Sequence, residues 1–484
     1  MDLSWLMTEA LAQPMPRHRA IYQGLRAAIL DGRLPAGTRL PASRQLARDF
    51  RIARNTVLQV YEQLTAEACV VADRQGTRVA DLPVTVSADT PSRRPLSRRA
   101  QSLPLPLTTA TSEFVPFALG GIDFQSFPMR AWRAALDRAW RSARPAQLGY
   151  AEAGGEMVLR EAVAEHLRLF RGLPVSPAQV LMTSGTQAAL DLVARLFADP
   201  GDTVWVENPG YVSGRAALTL AGLRLRPVPV DREGLAPCAE DWFRYPPNLV
   251  ALTPSHQFPS GSVLSLPRRL ELIAAAQAYG AWLIEDDYGS EFFDAPPLPA
   301  LFGLRPQAPV LYVGGFSKTL YPALRLGYLV VPLEYSEAVA AAARQATRLG
   351  QGIEQIALAD FMRRGDYIRH LRRSRQLVRE RRAAMRNALG ILREGYLVEG
   401  AGAGQHLLLR LPDSMDDRKV VAAAAEAGLE CRALSSFCDP PDGRMGLLLG
   451  YGAIPAARIP EAVRRLARVL EVCATGSGAS RRRQ

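Results

Sequence analysis

The stretch GGFSKTLYPALRLGY, residues 314–328, carries one of only two lysines in a chain of 484 residues. Of the 59 lysines and arginines, 57 are arginine; the exceptions are Lys318 and Lys419. Guanidinium and ammonium serve a solvated surface about equally well, so the exceptions carry the information. An amine can shed its proton and attack a carbonyl, whereas a guanidinium keeps its charge in any protein environment. Lys318 is therefore a candidate nucleophile, while Lys419, in DDRKVV, reads as a surface lysine. The same stretch supplies Ser317 and Arg325, a hydroxyl and a guanidinium suited to a phosphate group.

Working outward, from about residue 114 short apolar runs alternate with longer amphipathic segments, as in VLMTS, TVWVE, LVALTP, WLIEDD and VLYVGGF. That alternation predicts an α/β domain with a mostly parallel sheet, covered by helices on both faces. Ligands of such sheets bind at the carboxyl ends of the strands. TSGTQAAL follows one strand and opens a helix, so the backbone donors at Ser184, Gly185 and Thr186 form an anion site. ENPGYVSG places Tyr211 at a second strand end, as an aromatic face for a flat ligand. IEDDYGSEFF ends a third with two acids and Tyr288. An anion cradle, an aromatic ring, an acid, an amine and an arginine are the groups that pyridoxal 5′-phosphate requires. Each motif alone has a structural reading: a capped helix, a core tyrosine, a solvated acidic turn, a surface lysine. Their occurrence together in one order favours the cofactor.

Across residues 114–470, order and spacing resemble the fold type I aminotransferases, which end in a small C-terminal subdomain. The resemblance implies that Lys318 forms the Schiff base, that Asp286 pairs with the pyridine nitrogen and that Tyr288 faces the ring hydroxyl. Tyr211 covers the ring, and Gly185, Thr186, Ser317 and Arg325 hold the phosphate. Tyr150, in LGYAEAGGEMVLR, reaches the phosphate of a second subunit, which implies a homodimer. Three departures stand out. Phe258, in TPSHQFPSG, replaces an asparagine near the ring hydroxyl, and Gly289 an aspartate. Leu448, in GLLLGYG, occupies the place of an arginine that clamps the substrate carboxylate in enzymes of this fold; Arg444 lies nearby in number as an alternative.

The first part of the chain follows another pattern. RHRAIYQGLRAAILD puts Ile21, Leu25, Ala28 and Ile29 on one helical face. SRQLARDF is a short second helix capped by Ser43, with Leu46, Ala47 and Phe50 inward. RNTVLQVYEQLTAE is a third, with Val57, Val60, Tyr61 and Leu64 inward, and CVVADRQGTRVA is a hairpin turning at Gln75 and Gly76. This is the order of an α+β winged helix-turn-helix, whose third helix enters the major groove. LPASRQLA, ARNTV and YEQLTAE resemble the GntR family, which places Arg44, Arg54, Asn55, Thr56 and Gly76 at DNA-contacting positions. Arg51 stands where that family has a turn glycine and Ala53 where it has a serine cap.

The expected domains are a winged helix-turn-helix over 12–81, a linker rich in Pro, Ser, Thr and Arg over 82–113, a cofactor-binding domain over 114–474 and a basic tail over 475–484. The net charge of +12 favours a polyanionic partner such as a double-stranded DNA operator, and residues 1–113 hold 15 arginines against 10 acids. A further arginine cluster at 363–382 reads as a solvated helix without a site. The five cysteines have no metal-ligand spacing and no metal is expected; without a signal peptide or membrane-length apolar run, the expected location is the cytoplasm. The two parts joined resemble the MocR/GabR-type transcriptional regulators. Three functions remain open: a regulator sensing the cofactor or an amine effector, an aminotransferase with an accessory DNA-binding head, and a DNA-binding protein with an inert dimerising domain. Retention of Lys318, Asp286 and Arg325 together counts against the third, and the fused head against the second. Residual transamination stays open.

Overall fold

The computed structural model describes residues 15–49, 51–74, 76–82, 95–103, 115–121, 123–150, 152–293, 298–347, 349–400, 402 and 404–480. Phe50, Gln75, most of the expected linker and the last four residues of the expected tail lie outside the described residues. The chain divides into two compact units, Met1–Leu96 and Ser97–Gln484.

In the first unit, helices α1 (Arg17–Leu30), α2 (Ser43–Asp49) and α3 (Arg54–Ala66) precede an antiparallel hairpin of β1 (Val70–Asp73) and β2 (Gly76–Val79). Ile21, Leu25, Ala28 and Ile29 of α1 meet Leu46 and Ala47 of α2 and Val57, Val60 and Leu64 of α3 in a single core. Burial of each larger side chain contributes about 1.5–3 kcal/mol. The hairpin is fastened to the segment before α2 by Leu40 N donating to Thr77 O and Val79 N to Thr38 O, both at 2.9 Å. Both departures from the GntR pattern have structural consequences. Arg51 adopts φ 49°, in the left-handed region that glycine occupies without strain. Ala53 caps α3 with no side-chain hydrogen bond.

The second unit is built on an eight-stranded sheet in the order β3-β10-β9-β8-β7-β4-β5-β6. Its strands are β3 (Val180–Thr183), β4 (Thr203–Asn208), β5 (Arg224–Asp231), β6 (Gly234–Leu235), β7 (Leu249–Leu252), β8 (Trp282–Asp287), β9 (Val310–Gly315) and β10 (Gly327–Val330). The pairs β4–β5, β4–β7, β7–β8 and β8–β9 are parallel, while β10 runs antiparallel to both of its neighbours and β6 to β5. Apolar clusters lie on both faces, consistent with strands that read as near-continuous apolar runs. A smaller antiparallel sheet, β11 (Leu397–Glu399), β12 (His406–Arg410), β14 (Gly446–Gly450) and β13 (Arg432–Ala433), packs with its own helices around a second core.

Three local expectations are revised. Within the expected linker, Arg98–Gln101 is helical, capped by Ser97 and held by Arg99 Nη1 donating to Leu220 O at 3.1 Å. The final helix runs from Ile459 to Ser480, into the expected basic tail. The arginine-rich helix, α4 (Asp366–Leu389), is not simply solvated, since Arg381 and Arg382 are buried in it. Arg381 donates to the Gly452 carbonyl and Asp123, and Arg382 to the Gly402 carbonyl. No helix among the described residues is long and apolar enough to cross a membrane.

Candidate cofactor site and DNA-binding head

A cavity of about 320 Å³ opens where β4, β7, β8 and β9 end, a volume suited to a small-molecule site. Thr186, Tyr211, Asp286, Tyr288, Ser317, Lys318 and Arg325 all line it. Residues spread over 140 positions converge because consecutive parallel strands deliver their carboxyl ends to one edge of the sheet.

The pleat of β8 decides which of its acids is free. Glu285 and Asp287 point to one face, where Glu285 accepts from Leu301 N and Phe302 N at 3.1 Å each. Asp287 is held by Tyr312 Oη at 2.6 Å, Ser290 Oγ at 2.8 Å and Arg171 Nε at 3.0 Å. Asp286 faces the cavity, buried, and its Oδ1 has no hydrogen-bond partner. Burial, reinforced by the charges of Asp287 and Glu207, raises its pKa to about 7. The Tyr288 hydroxyl is likewise buried without a partner, and burial keeps its pKa well above the usual phenol value. Buried polar atoms are normally paired, so these two mark positions that a polar ligand completes.

Lys318 sits on the turn after β9, and burial lowers the pKa of its amine. Gly120, at φ 70°, lies against it: a Cβ there would come within 2.6 Å of Lys318 Nζ. Gly185, at φ 94°, precedes the helix Thr186–Phe197, which opens toward the cavity. A Cβ on Gly185 would lie 3.5 Å from the Arg325 guanidinium, so cation and helix N-terminus are neighbours, as anion binding requires. Ser184, whose expected part is a backbone donor, is exposed at the end of β3 just before Gly185, and its side chain is not part of the cavity wall. Tyr150 is 77% exposed and also lies outside it.

Several lining residues have no counterpart in the sequence expectations. His256, Gln405 and His406 join the cavity wall, the last two from the small subdomain. TPSHQFPSG held a signal for His256; His406, a lone histidine at the edge of an apolar strand, had none. Phe258 packs edge-on to Tyr211, Tyr288 and Phe437. Leu448 is fully buried with Leu408, Leu434 and Phe437 in an apolar cluster. Arg444 does not replace an arginine there: it donates to Asn208 O at 2.9 Å and Val230 O at 3.3 Å and pairs with Asp442.

In the first unit, Arg44, Arg54 and Asn55 are exposed on α2 and the start of α3, and Thr56 is half-buried. Arg54 Nε lies 3.4 Å from Ser43 Oγ, so the two helices present their polar ends together. Gly76 opens β2 at φ 123°, with the Arg39 guanidinium 3.2 Å from where its Cβ would lie. Arg39 thus joins the basic residues at the hairpin tip, a placement invisible in the sequence because it depends on the pairing of residues 38–40 with β2.

The sequence matches two family profiles, Bacterial regulatory proteins, gntR family, over residues 17–79 and Aminotransferase class I and II over residues 113–449. It is 36% identical over 468 residues to the Probable rhizopine catabolism regulatory protein MocR of Rhizobium meliloti, covering 93% of each chain. It is 33% identical to the pyridoxine biosynthesis transcriptional regulator PdxR of Corynebacterium glutamicum, covering 90% of this chain and 91% of that one. The crystal structure of LysN, the α-aminoadipate aminotransferase of Thermus thermophilus, superimposes with a TM-score of 0.68 at 31% identity, covering 74% of this chain and 92% of that one. A gntR-type profile followed by a class I and II aminotransferase profile, in a chain 36% identical to MocR over 93% of its length, assigns this chain to the MocR-type family of transcriptional regulators.

Proposed function

We propose that this chain is a DNA-binding transcriptional regulator that holds pyridoxal 5′-phosphate in the cavity of its large domain and responds to the cofactor or to an amine reacting with it. The observation that carries the reading is the convergence of Lys318, Asp286, Tyr288, Tyr211 and Arg325 on one cavity, in a chain headed by a gntR-type domain. LysN, which resembles the large domain, is described in complex with N-(5′-phosphopyridoxyl)-L-leucine, a molecule carrying the same phosphopyridoxyl group.

The residues fit that group. Lys318, whose amine burial moves toward neutrality, is the nucleophile for its aldehyde. Asp286 offers a carboxylate to the ring nitrogen and Tyr288 a hydroxyl to the ring oxygen; both lack other partners. Tyr211 supplies aromatic surface. Arg325, Ser317, Thr186 and the backbone N–H groups opening the helix at Thr186 take the phosphate. When bound, the cofactor supplies an electrophilic carbon and an electron-withdrawing ring. Tyr150, exposed and outside its own cavity, serves the second subunit of a homodimer. In the head, Arg44, Arg54, Asn55, Thr56 and the Gly76 turn face DNA, with Arg54 and Asn55 placed to read base edges. Retention of the whole cofactor set also keeps a transamination half-reaction chemically open.

Regulation requires that cofactor state and DNA affinity be linked, and linkage makes the effect reciprocal. Operator titrations of cofactor-free, cofactor-loaded and amine-treated protein should therefore differ by about 1–3 kcal/mol. Lys318→Ala and Lys318→Arg should both abolish covalent cofactor attachment while leaving a folded protein. Coincident titrations would refute the sensing role, and a borohydride-reducible adduct in either variant would refute the assignment of Lys318.

A further inference from the structure

Beyond Leu82, the described chain first joins the large unit as the single helical turn Arg98–Gln101. One turn of helix has no stability of its own, so its persistence depends on what it rests against. It rests on the helix Val212–Leu220, through Arg99 Nη1 donating to the Leu220 carbonyl at 3.1 Å. Leu220 is the last residue of that helix, where carbonyls lack intrahelical donors and carry the negative end of the helix dipole. A guanidinium is the complement of such an end. The seat leaves room for it: a Cβ on Gly222, at φ 97°, would fall 2.9 Å from Arg99 Nη1. Within the turn, Ser97 Oγ accepts from Ala100 N at 3.3 Å and Ser102 Oγ donates to Arg99 O at 2.9 Å, which fixes the backbone that presents Arg99.

The same helix begins in the cofactor cavity. Its N-cap residue is Tyr211, which lines the cavity. A Cβ on Gly214 would fall 2.8 Å from Tyr211 Cδ1, so the ring lies back on the first turn of its own helix. Nine helical residues, a rod of about 14 Å, therefore join the aromatic face of the cavity to the carbonyl that holds Arg99. A flat group packed on Tyr211 fixes the first turn, and the ordered helix offers Arg99 a steadier seat. Arg99 is exposed, so the contact is weak, and a weak contact is one whose balance a ligand can shift. Release has a large geometric effect. Leu82 stands 15 positions before Ser97 and 34 before Pro116, where the described chain is next held by Glu430 N donating to Pro116 O at 2.9 Å. Fully extended, those tethers span about 50 Å and about 115 Å. Roughly doubling a tether dilutes what it carries about threefold.

We propose that Ser97–Gln101 is a regulatory latch: seated on the end of helix Val212–Leu220 it shortens the tether of the DNA-binding head, and a cofactor packed on Tyr211 favours the seated state. This rests on the cofactor reading above.

The test uses the full-length chain, cofactor-free and loaded with pyridoxal 5′-phosphate. The amides of Ala100, Gln101 and Ser102, which donate to Ser97 and Arg98, report the turn by hydrogen exchange. In the wild type, loading should slow their exchange about threefold or more; in Arg99→Ala they should exchange at the faster rate with and without cofactor. Arg99→Lys, which keeps a cation and a donor for the Leu220 carbonyl, should recover part of the difference. Operator affinity is measured by fluorescence anisotropy on a duplex that the wild-type chain selects from random-sequence DNA. Its response to loading should be about threefold smaller in Arg99→Ala than in the wild type, while borohydride tags Lys318 equally in both. Exchange unmoved by loading in the wild type overturns the proposal, as does an operator response undiminished in Arg99→Ala; either result removes this inference alone. An untagged Lys318 in the wild type, or coincident wild-type titrations, overturns the reading on which it rests.

Discussion

Replacing Asp286 by asparagine tests the electrostatics of the site without any ligand. The carboxyl is fully buried, and its pKa rises from 3.8 in the unfolded chain to about 7 in the fold, through burial first and the Asp287 and Glu207 charges second. A carboxyl shifted upward contributes stability that is complete below its unfolded pKa and is lost as pH climbs through the folded one. At 1.36 kcal/mol per pH unit, the gap amounts to roughly 4 kcal/mol between about pH 4 and pH 8. Cofactor-free Asp286→Asn should therefore gain on cofactor-free wild type by about that amount as the pH rises through this window. The carboxamide's own burial penalty adds an offset that does not vary with pH, so the quantity that decides is the change in the difference. Urea unfolding followed by tryptophan fluorescence measures it, because five of the six tryptophans lie beyond residue 113. Adding cofactor should flatten the wild-type profile, since a cationic ring nitrogen supplies the partner that Asp286 lacks. Parallel pH profiles for the two cofactor-free proteins would refute the buried, unpaired carboxyl.

Arg51→Gly should relieve the left-handed strain before α3 and Ala53→Ser should add the missing cap, each by about 1 kcal/mol; amide exchange across Arg54–Ala66 should slow about fivefold in each, and unchanged exchange would contradict the strained, uncapped start. Arg54→Ala should weaken operator binding by about 1–3 kcal/mol with cofactor attachment unaffected, and wild-type affinity should fall steeply with salt as counterions are released; equal operator affinity in the variant would displace α3 from the groove. Gly120→Ala, which puts a methyl within 2.6 Å of Lys318 Nζ at φ 70°, should cost about 1–2 kcal/mol of stability and weaken covalent cofactor attachment; wild-type behaviour in both readouts would show that the amine does not rest there.

Much of this protein is legible in one dimension. The rarity of lysine isolates Lys318 because only an amine can serve as nucleophile, and strand–loop–helix punctuation marks the ends at which Thr186, Tyr211, Asp286 and Arg325 stand. The head is equally plain, because helix periodicity and turn glycines are local properties: Ile21, Leu25, Val57 and Leu64 all reach the core that their spacing predicts. Even the strain at Arg51 is foreshadowed by its place in the turn.

What required the folded chain are the contacts between distant segments. The text EDD does not say which acid is free; the hydrogen bond from Tyr312 and the ion pair with Arg171 hold Asp287 and leave Asp286 to the cavity. Arg444 is near Leu448 in number, yet its bonds to Asn208 and Val230 carry it away from the cavity. Arg381 and Arg382 read as solvated residues of a charged helix until carbonyls from remote loops accept their hydrogen bonds. His256 and His406, 150 positions apart, become neighbours in one cavity wall only where the small subdomain meets the large sheet. Periodicity and residue chemistry act over a few residues and can be read along the chain, whereas burial, partner choice and the pKa values they set depend on which surfaces meet, and packing alone decides that.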